Sequence, residues 1–234
     1  MTLPIIILAG GLASRLRPIT EKIPKSLIEV AGVPFVVRQL NYLKKQNIEK
    51  VIMCVGHMGE MIEELLQNGE ELGLRIEYSY DGSTLLGTGG AVKKASEFVD
   101  DRFLILYGDS FLPIDFNEVE NAFDSQKYRA LMTVVENKNQ WDKSNAIFKD
   151  EKLVKYDKEN PCSEMNHIDY GLGILSRELF SDYATETNFD LSEVYKQLSI
   201  ENKLQGFEVT QRFYEIGSYQ GLKETETYFL EGDI

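Results

Sequence analysis

Four consecutive apolar residues, Ile5-Ile6-Ile7-Leu8, run without interruption into Ala9-Gly10-Gly11. A short unbroken apolar run fits a strand covered on both faces, which calls for a parallel sheet with helices above and below it. The two glycines remove β-carbons where the strand ends, so main-chain N–H groups there can meet a ligand directly. A Gly-Gly pair after a strand is also an ordinary tight turn. What favours an anion site is the set of cations that follows, Arg15, Arg17 and the Pro24-Lys25 pair. They cluster in a chain whose formal net charge is −13, against the trend of its composition.

That acidity argues against non-specific binding to nucleic acid or to an anionic membrane, both of which need a basic face. A local basic pocket in an acidic protein suits a small anionic ligand. With 234 residues and 43% hydrophobic content, the chain can bury a full core and is expected to form one domain over residues 1–234. Its two cysteines, Cys54 in an apolar run and Cys162 in a polar one, suggest neither a disulfide framework nor a metal cluster. The amino terminus has no basic segment followed by a cleavable apolar stretch. No apolar run approaches the roughly 20 residues needed to span a bilayer, so a soluble, cytoplasmic protein is expected.

Periodicity gives an alternating order of elements. Residues 35–45 carry apolar side chains on one helical face, with Pro34 suited to the first turn. A strand at 50–55 leads through Gly56 and His57 into a helix at 60–67, and a strand at 74–79 follows. A helix at 89–98 precedes a strand at 103–107, which runs into Gly108-Asp109. This order predicts an α/β fold, a three-layer, Rossmann-like, mixed but mostly parallel sheet, with ligands bound beyond the carboxyl ends of its strands. After about residue 127 the pattern is less regular. A strand at 130–135, a hairpin around Asp150-Glu151, a strand at 169–175, a helix at 191–199, a strand at 204–210 and a last helix at 219–230 extend the sheet and wall a cleft.

Three further islands carry polar residues where such a fold places ligands. Gly87-Thr88-Gly89-Gly90 opens a helix, where close backbone approach and the positive helix end favour an anion or a base edge. It is not a P-loop, because no Gly-Lys-Ser/Thr follows, and its spacing is not that of a dinucleotide fingerprint. Tyr107-Gly108-Asp109-Ser110 ends a strand, and a carboxylate opposite a phosphate grip suits Mg²⁺. Glu215, between aromatic residues before the last helix, reads equally as a second metal-directed carboxylate or as a solvated turn residue. Lys158 could reach a phosphate or only solubilise its loop. His57 and His167 stand alone, with no nucleophile or ligand spacing around them.

Together these motifs resemble the sugar-1-phosphate nucleotidylyltransferases, the pyrophosphorylases that make nucleotide sugars, of the nucleotide-diphospho-sugar transferase fold. The match covers nearly the whole chain and is most specific over residues 8–18 and Pro24-Lys25. The resemblance implies that the first half, about 1–127, is the nucleotide-binding half and the second, about 128–234, the sugar-binding half, and that Ala9, Gly10, Gly11, Gly87, Thr88 and Gly89 bind the nucleotide. By the same resemblance Arg15 meets the triphosphate and Lys25 the reacting centre, both as catalytic residues. Lys158, Asp169 and Gly171 would bind the sugar phosphate, and Asp109 and Glu215 would hold Mg²⁺. Three positions depart from the common pattern. Ala13 stands where many members carry glycine, which predicts a loop less free to take positive φ. Glu215 replaces an aspartate, and Asp169-Tyr170-Gly171 stands where other members differ, so sugar preference does not transfer. No carboxy-terminal β-helix is present, so a minimal enzyme similar to heptose-1-phosphate guanylyltransferases is expected.

The implied reaction is attack by a sugar 1-phosphate oxygen on the α-phosphorus of a nucleoside triphosphate, releasing pyrophosphate without a covalent enzyme intermediate. Two other readings stand beside it: a silent relative that binds a nucleotide sugar and reports it to a partner, and transfer to a non-sugar phosphate such as phosphocholine. Base, sugar and oligomeric state are left open.

Overall fold

The computed structural model describes residues 2–232 except Leu12, Ser83, Lys138, Asn139 and residues 185–187. Leu12, part of the opening motif, thus lies outside the described residues. Strand β1 (Ile5–Leu8) is followed by two short ribbon strands, β2 (Glu29–Val30) and β3 (Val33–Pro34), and by helix α1 (Phe35–Lys45). Then come β4 (Lys50–Val55), α2 (Gly59–Leu66), β5 (Arg75–Tyr80), α3 (Gly87–Ala95), β6 (Arg102–Tyr107), the short β7 (Ser110–Phe111) and α4 (Phe116–Ala122). The second half holds β8 (Ala130–Glu136), β9 (Ala146–Lys149), β10 (Lys152–Tyr156), β11 (His167–Ser176), α5 (Leu191–Ile200), β12 (Leu204–Val209), β13 (Tyr214–Glu215) and α6 (Tyr219–Glu231). Periodicity missed α4 and the four two-residue ribbon strands, which are too short to show a period.

Nine strands form one mixed sheet. Its parallel part runs β5-β4-β1-β6. Strand β11 lies antiparallel to β6 and β8, and β12 is parallel to β8. The β9-β10 hairpin turns through Asp150 and Glu151, both at positive φ, and joins β11 at His167.

Side chains alternate across the strands and feed two separate cores. Ile5, Ile7, Val51, Met53 and Leu104 pack with Val36, Leu40, Leu43 and Ile62 of α1 and α2. Ile6, Ile52, Cys54, Phe103 and Ile105 pack with Ala91, Val92, Leu191, Val194 and Leu198 of α3 and α5. The result is a helix–sheet–helix sandwich, which is why β1 had to be apolar on both faces. Helix α5 starts on a capping box, with the Asp190 side chain accepting from Ser192 N–H and the Glu193 carboxylate accepting from Asp190 N–H. A third, aromatic cluster of Phe35, Phe111, Ile216 and Phe229 docks α6 against the ribbons and so fixes the segment around Glu215. Among the described residues no helix is long and apolar enough to cross a membrane.

Candidate active site

Strand register decides what meets at the sheet edge. Leu8 pairs with Cys54 and Tyr107, and Val55 with Tyr80. The residues that follow, Ala9 to Gly11, Gly56, Asp81 and Gly108-Asp109, therefore emerge side by side beyond the carboxyl ends, the usual ligand edge of such sheets. With Gly87 and Thr88, all of these but Gly56 line one pocket. Among the described residues none accepts from the N–H of Gly10 or Gly11. Gly108 is required for closeness: its N–H donates to Leu8 O at 2.9 Å, and a β-carbon there would lie 2.7 Å from that oxygen. Ala13 adopts φ 47° and ψ 41°. Alanine takes this left-handed conformation at a cost of roughly 1–2 kcal/mol that glycine would not carry.

The turn after β6 aims Asp109 at the junction of two cavities. Gln39, buried on α1, donates through Nε2 to Tyr107 O at 3.0 Å and to Ser110 O at 2.7 Å, pinning both ends of the turn. Lys25 Nζ pairs with Asp109 Oδ2 at 2.5 Å, both side chains partly exposed. Glu215 is delivered by β13, which pairs with β7 so that Glu215 lies opposite Ser110. Its carboxylate accepts from Gly217 N–H and from the Ser218 hydroxyl, the latter at 2.6 Å, and Ser218 in turn caps α6 by accepting from Gly221 N–H at 2.9 Å. The carboxylate so rests on the positive end of a 13-residue helix.

On the other side of Asp109 lies a second cavity, lined by Arg15, Asp109, Glu215, Asp169, Asn145, Trp141, Phe213 and Arg212 among others. A register shift in β11 between Asp169 and Gly173, with Gly171 at φ 107°, turns Asp169 toward it. The Thr133 hydroxyl staples this bulge, donating to Leu172 O at 2.6 Å and accepting from Leu172 N–H at 3.2 Å. Asp169 Oδ1 accepts from Gly171 N–H at 3.0 Å. Burial pushes the Asp169 carboxyl up to about 6, partly countered by Gly171 N–H, the Lys158 charge and the Tyr107 hydroxyl. Lys158 is exposed, with its charge acting on Asp169 and on Asp190 at the start of α5. Trp141 and Phe213 form an aromatic wall, their rings 5.4 Å apart.

The structure therefore brings together Lys25, Asp109, Glu215 and Arg15, with Ala9, Gly10, Gly11, Gly87 and Thr88 on one side and Asp169 and Gly171 on the other. Gly89 and Thr88 also carry packing contacts. Gly89 faces Phe189: its N–H donates to Phe189 O at 2.9 Å, and a β-carbon would sit 2.2 Å from the Phe189 ring. That glycine is spent on packing α3 against the start of α5. The Thr88 hydroxyl accepts from Leu191 N–H at 2.8 Å, so it ties the same two helices together while its residue lines the pocket. Sequence reading missed Gln39, although a polar residue inside the buried stripe of α1 is a signal for such a brace. It also missed Asp81 and, in the second cavity, Trp141, Asn145 and Arg212.

The carboxylates fit a Mg²⁺ site. Gly217 leaves open the space between them, since a β-carbon on it would lie 2.7 Å from Glu215 Oε2, 3.4 Å from Asp109 Oδ2 and 3.8 Å from Lys25 Nζ. Mg²⁺ takes one or two carboxylates and completes its shell with substrate oxygens and water, so two carboxylates facing one gap suffice. No group of three or more acidic, histidine or cysteine ligands occurs among the described residues.

Strand ends, glycine turn and paired carboxylates define a nucleotide-handling α/β enzyme site. Residues 5–201 match the family described as Nucleotidyl transferase, and the chain belongs to that family. It is 35% identical over 198 residues to the D-glycero-alpha-D-manno-heptose 1-phosphate guanylyltransferase of Campylobacter jejuni, covering 82% of this chain and 86% of the relative. The enzyme of the same name from Aneurinibacillus thermoaerophilus is 29% identical, covering 91% and 92%. The crystal structure of HddC from Yersinia pseudotuberculosis superposes with a TM-score of 0.80 at 23% identity, covering 97% of this chain and all of that one, and shares the fold.

Proposed function

We propose that the protein transfers a nucleotidyl group from a nucleoside triphosphate to a sugar 1-phosphate in the cytoplasm, with guanosine triphosphate and a heptose 1-phosphate as the first candidates because the two relatives carry those names. The observation that carries this reading is the position of Asp109: it lines both cavities and holds Lys25 at the place where they meet. A triphosphate held by the Gly10-Gly11 turn and an acceptor held near Asp169 would bring their phosphates together there.

A phosphate monoester is already a nucleophile at neutral pH, so the protein's work is to align two anions and neutralise their repulsion. Lys25 stands at the meeting point, Arg15 on the wall of the acceptor cavity, and Lys158 above Asp169. The acceptor phosphate oxygen attacks the α-phosphorus in line, pyrophosphate leaves, and no proton need be taken from the nucleophile. Asp109 and Glu215 would hold Mg²⁺, which supplies positive charge to the phosphate oxygens when bound.

One observation supports a second acceptor class. An aromatic wall of Trp141 and Phe213 beside Asp142, Asp169 and Glu224 also suits a quaternary ammonium, so phosphocholine belongs among the acceptors tested. The test is pyrophosphate release from each nucleoside triphosphate with heptose, hexose and N-acetylhexosamine 1-phosphates and with phosphocholine, with Mg²⁺ and with chelator. Release that needs a sugar 1-phosphate and stops with chelator is expected. Release with phosphocholine alone replaces the acceptor; tight binding of a nucleotide sugar with no release in any mixture replaces catalysis by sensing.

A further inference from the structure

Gln39 lies on the buried face of α1 with Phe35, Val36, Leu40 and Leu43, and is only 2% exposed. An apolar side chain would fill that place and leave no polar atom to satisfy. Gln39 instead keeps its Oε1 buried without a partner among the described residues, which costs stability wherever it occurs. What the residue contributes is Nε2, which donates to Tyr107 O at 3.0 Å and to Ser110 O at 2.7 Å. Turning the carboxamide over would press Oε1 against both carbonyl oxygens, so the two bonds fix its orientation.

Strand pairing shows why these two carbonyls take a side chain. Strand β6 pairs with β11 from Arg102 opposite Ser176 to Leu106 opposite Leu172, and there the ladder stops. Gly171, next in line to face Tyr107, lies in the β11 bulge and gives its N–H to Asp169 Oδ1 at 3.0 Å. Tyr107 O is thus left at the point where the two strands part, and Gln39 serves it. At the other end of the turn Ser110 opens β7, whose pairing with β13 sets Glu215 opposite it. Between them Gly108 N–H donates to Leu8 O at 2.9 Å and Asp109 O accepts from Ile216 N–H at 2.9 Å. Every residue from Tyr107 to Ser110 is therefore held through its backbone, and Gln39 holds both ends.

We infer that Gln39 is a positioning residue for the reaction: it stands in for the sheet where β11 leaves β6, and so sets where Asp109 presents its carboxylate beside Glu215. Gln39 itself lines neither cavity. The inference rests on the reading of Asp109 as a metal-holding residue. Removing a group that orients such a residue from behind changes metal affinity or activity by about ten- to a hundredfold.

The test measures Mn²⁺ binding to the whole protein by electron paramagnetic resonance without substrate, beside kcat and the Kd of GTP taken without metal. Gln39→Met keeps the unbranched shape and loses both donors. Gln39→Glu keeps the shape, and its buried carboxyl, holding a proton, can serve one of the two carbonyls. The Kd of Mn²⁺ should rise about tenfold in Gln39→Met and less in Gln39→Glu, with kcat falling in the same order and metal-free GTP binding within about twofold of wild type. A lower unfolding temperature with Mn²⁺ binding and kcat unmoved, or a Met variant no worse than the Glu variant, overturns the inference and leaves Gln39 as a residue of the fold. If Gln39→Met does not fold, Gln39→Glu decides alone, and Mn²⁺ binding equal to wild type overturns the inference. In the wild type, whichever variants fold, the side-chain N–H resonances of Gln39 should shift when Mg²⁺ and GTP are added; resonances that stay in place overturn it as well. A wild type that binds no Mn²⁺ overturns the metal reading and the inference with it. Weakened Mn²⁺ binding in the variants beside a wild type that transfers no nucleotide would sink the transfer reading and keep the positioning role; transfer by the wild type with Mn²⁺ binding untouched in the variants would do the reverse.

Discussion

The two cavities that share Asp109 are built in opposite ways. The proposed nucleotide side is made of strand ends in a parallel sheet, where register alone sets Gly10, Gly56, Asp81 and Gly108 beside one another. The acceptor side is made of side chains drawn from loops, a bulged strand and a helix start that lie far apart in sequence. One side is as rigid as the sheet, and the other can change its occupant by changing side chains. A scaffold of this kind holds its nucleotide geometry while its acceptor pocket varies. Variants on each side, and at the junction, can break or sharpen that contrast.

The junction carries the largest expected effect. Lys25→Ala removes the cation at the meeting of two phosphate-bearing substrates and leaves Asp109 without its partner at 2.5 Å. Turnover should fall by about a hundredfold or more, while nucleotide binding to the glycine turn changes far less. Rapid-quench turnover with near wild-type rates would show that the reacting phosphates do not meet here, and the two cavities would then be unrelated.

The same contrast explains what could be read from the sequence. Ile5 to Leu8 could be placed because an apolar run of that length has few places to go, and Gly10-Gly11 and Asp109 followed as neighbours at the strand ends. The main helices and sheet strands were recoverable from periodicity for the same reason. The packing role of Gly89 was not legible because a glycine needed for ligand approach and one needed for a ring to pack look alike in sequence; Phe189, which packs on it, is a hundred residues away and gives no local sign. Gln39, Trp141 and Arg212 act through tertiary contacts with partners such as Ser110, Phe213 and Glu224. Ala13 could be flagged from sequence as a residue less free to take positive φ, but nothing local showed that the surrounding turn imposes that conformation on it.

A smaller effect separates metal holding from general acidity. A β-carbon on Gly221 would sit 1.7 Å from Glu215 Oε1, so Gly221→Ala must move that carboxylate, although alanine is the better helix former at the start of α6. The concentration of Mg²⁺ giving half-maximal activity should rise about tenfold, on the scale by which misplaced supporting groups weaken metal sites, and the unfolding temperature should fall as well, because the same β-carbon would lie 2.7 Å from Glu215 O of the backbone. An unaltered Mg²⁺ titration would remove Glu215 from the metal site and leave it as a cap for α6.

The smallest effect belongs to the acceptor side, where Asp169 has a folded pKa of about 6 against an ordinary value near 3.9. Between those values the folded chain keeps a proton that the unfolded chain has lost, so stability decreases as pH rises from about 4 to about 6 and stays lower above it. Asparagine at this position is neutral throughout and its oxygen can still accept from Gly171 N–H. Asp169→Asn should therefore unfold at a higher temperature than wild type at pH 7.5, the gap closing by about pH 4. If the ionised carboxylate is kept because it accepts from acceptor hydroxyls, kcat/KM for the sugar phosphate should rise through pH 6 in wild type. In the variant it should lose that rise and fall only several-fold at neutral pH, a charged hydrogen bond exchanged for a neutral one. A variant that is more stable yet keeps the pH rise would assign the titration to another group and make Asp169 a brace for the β11 bulge.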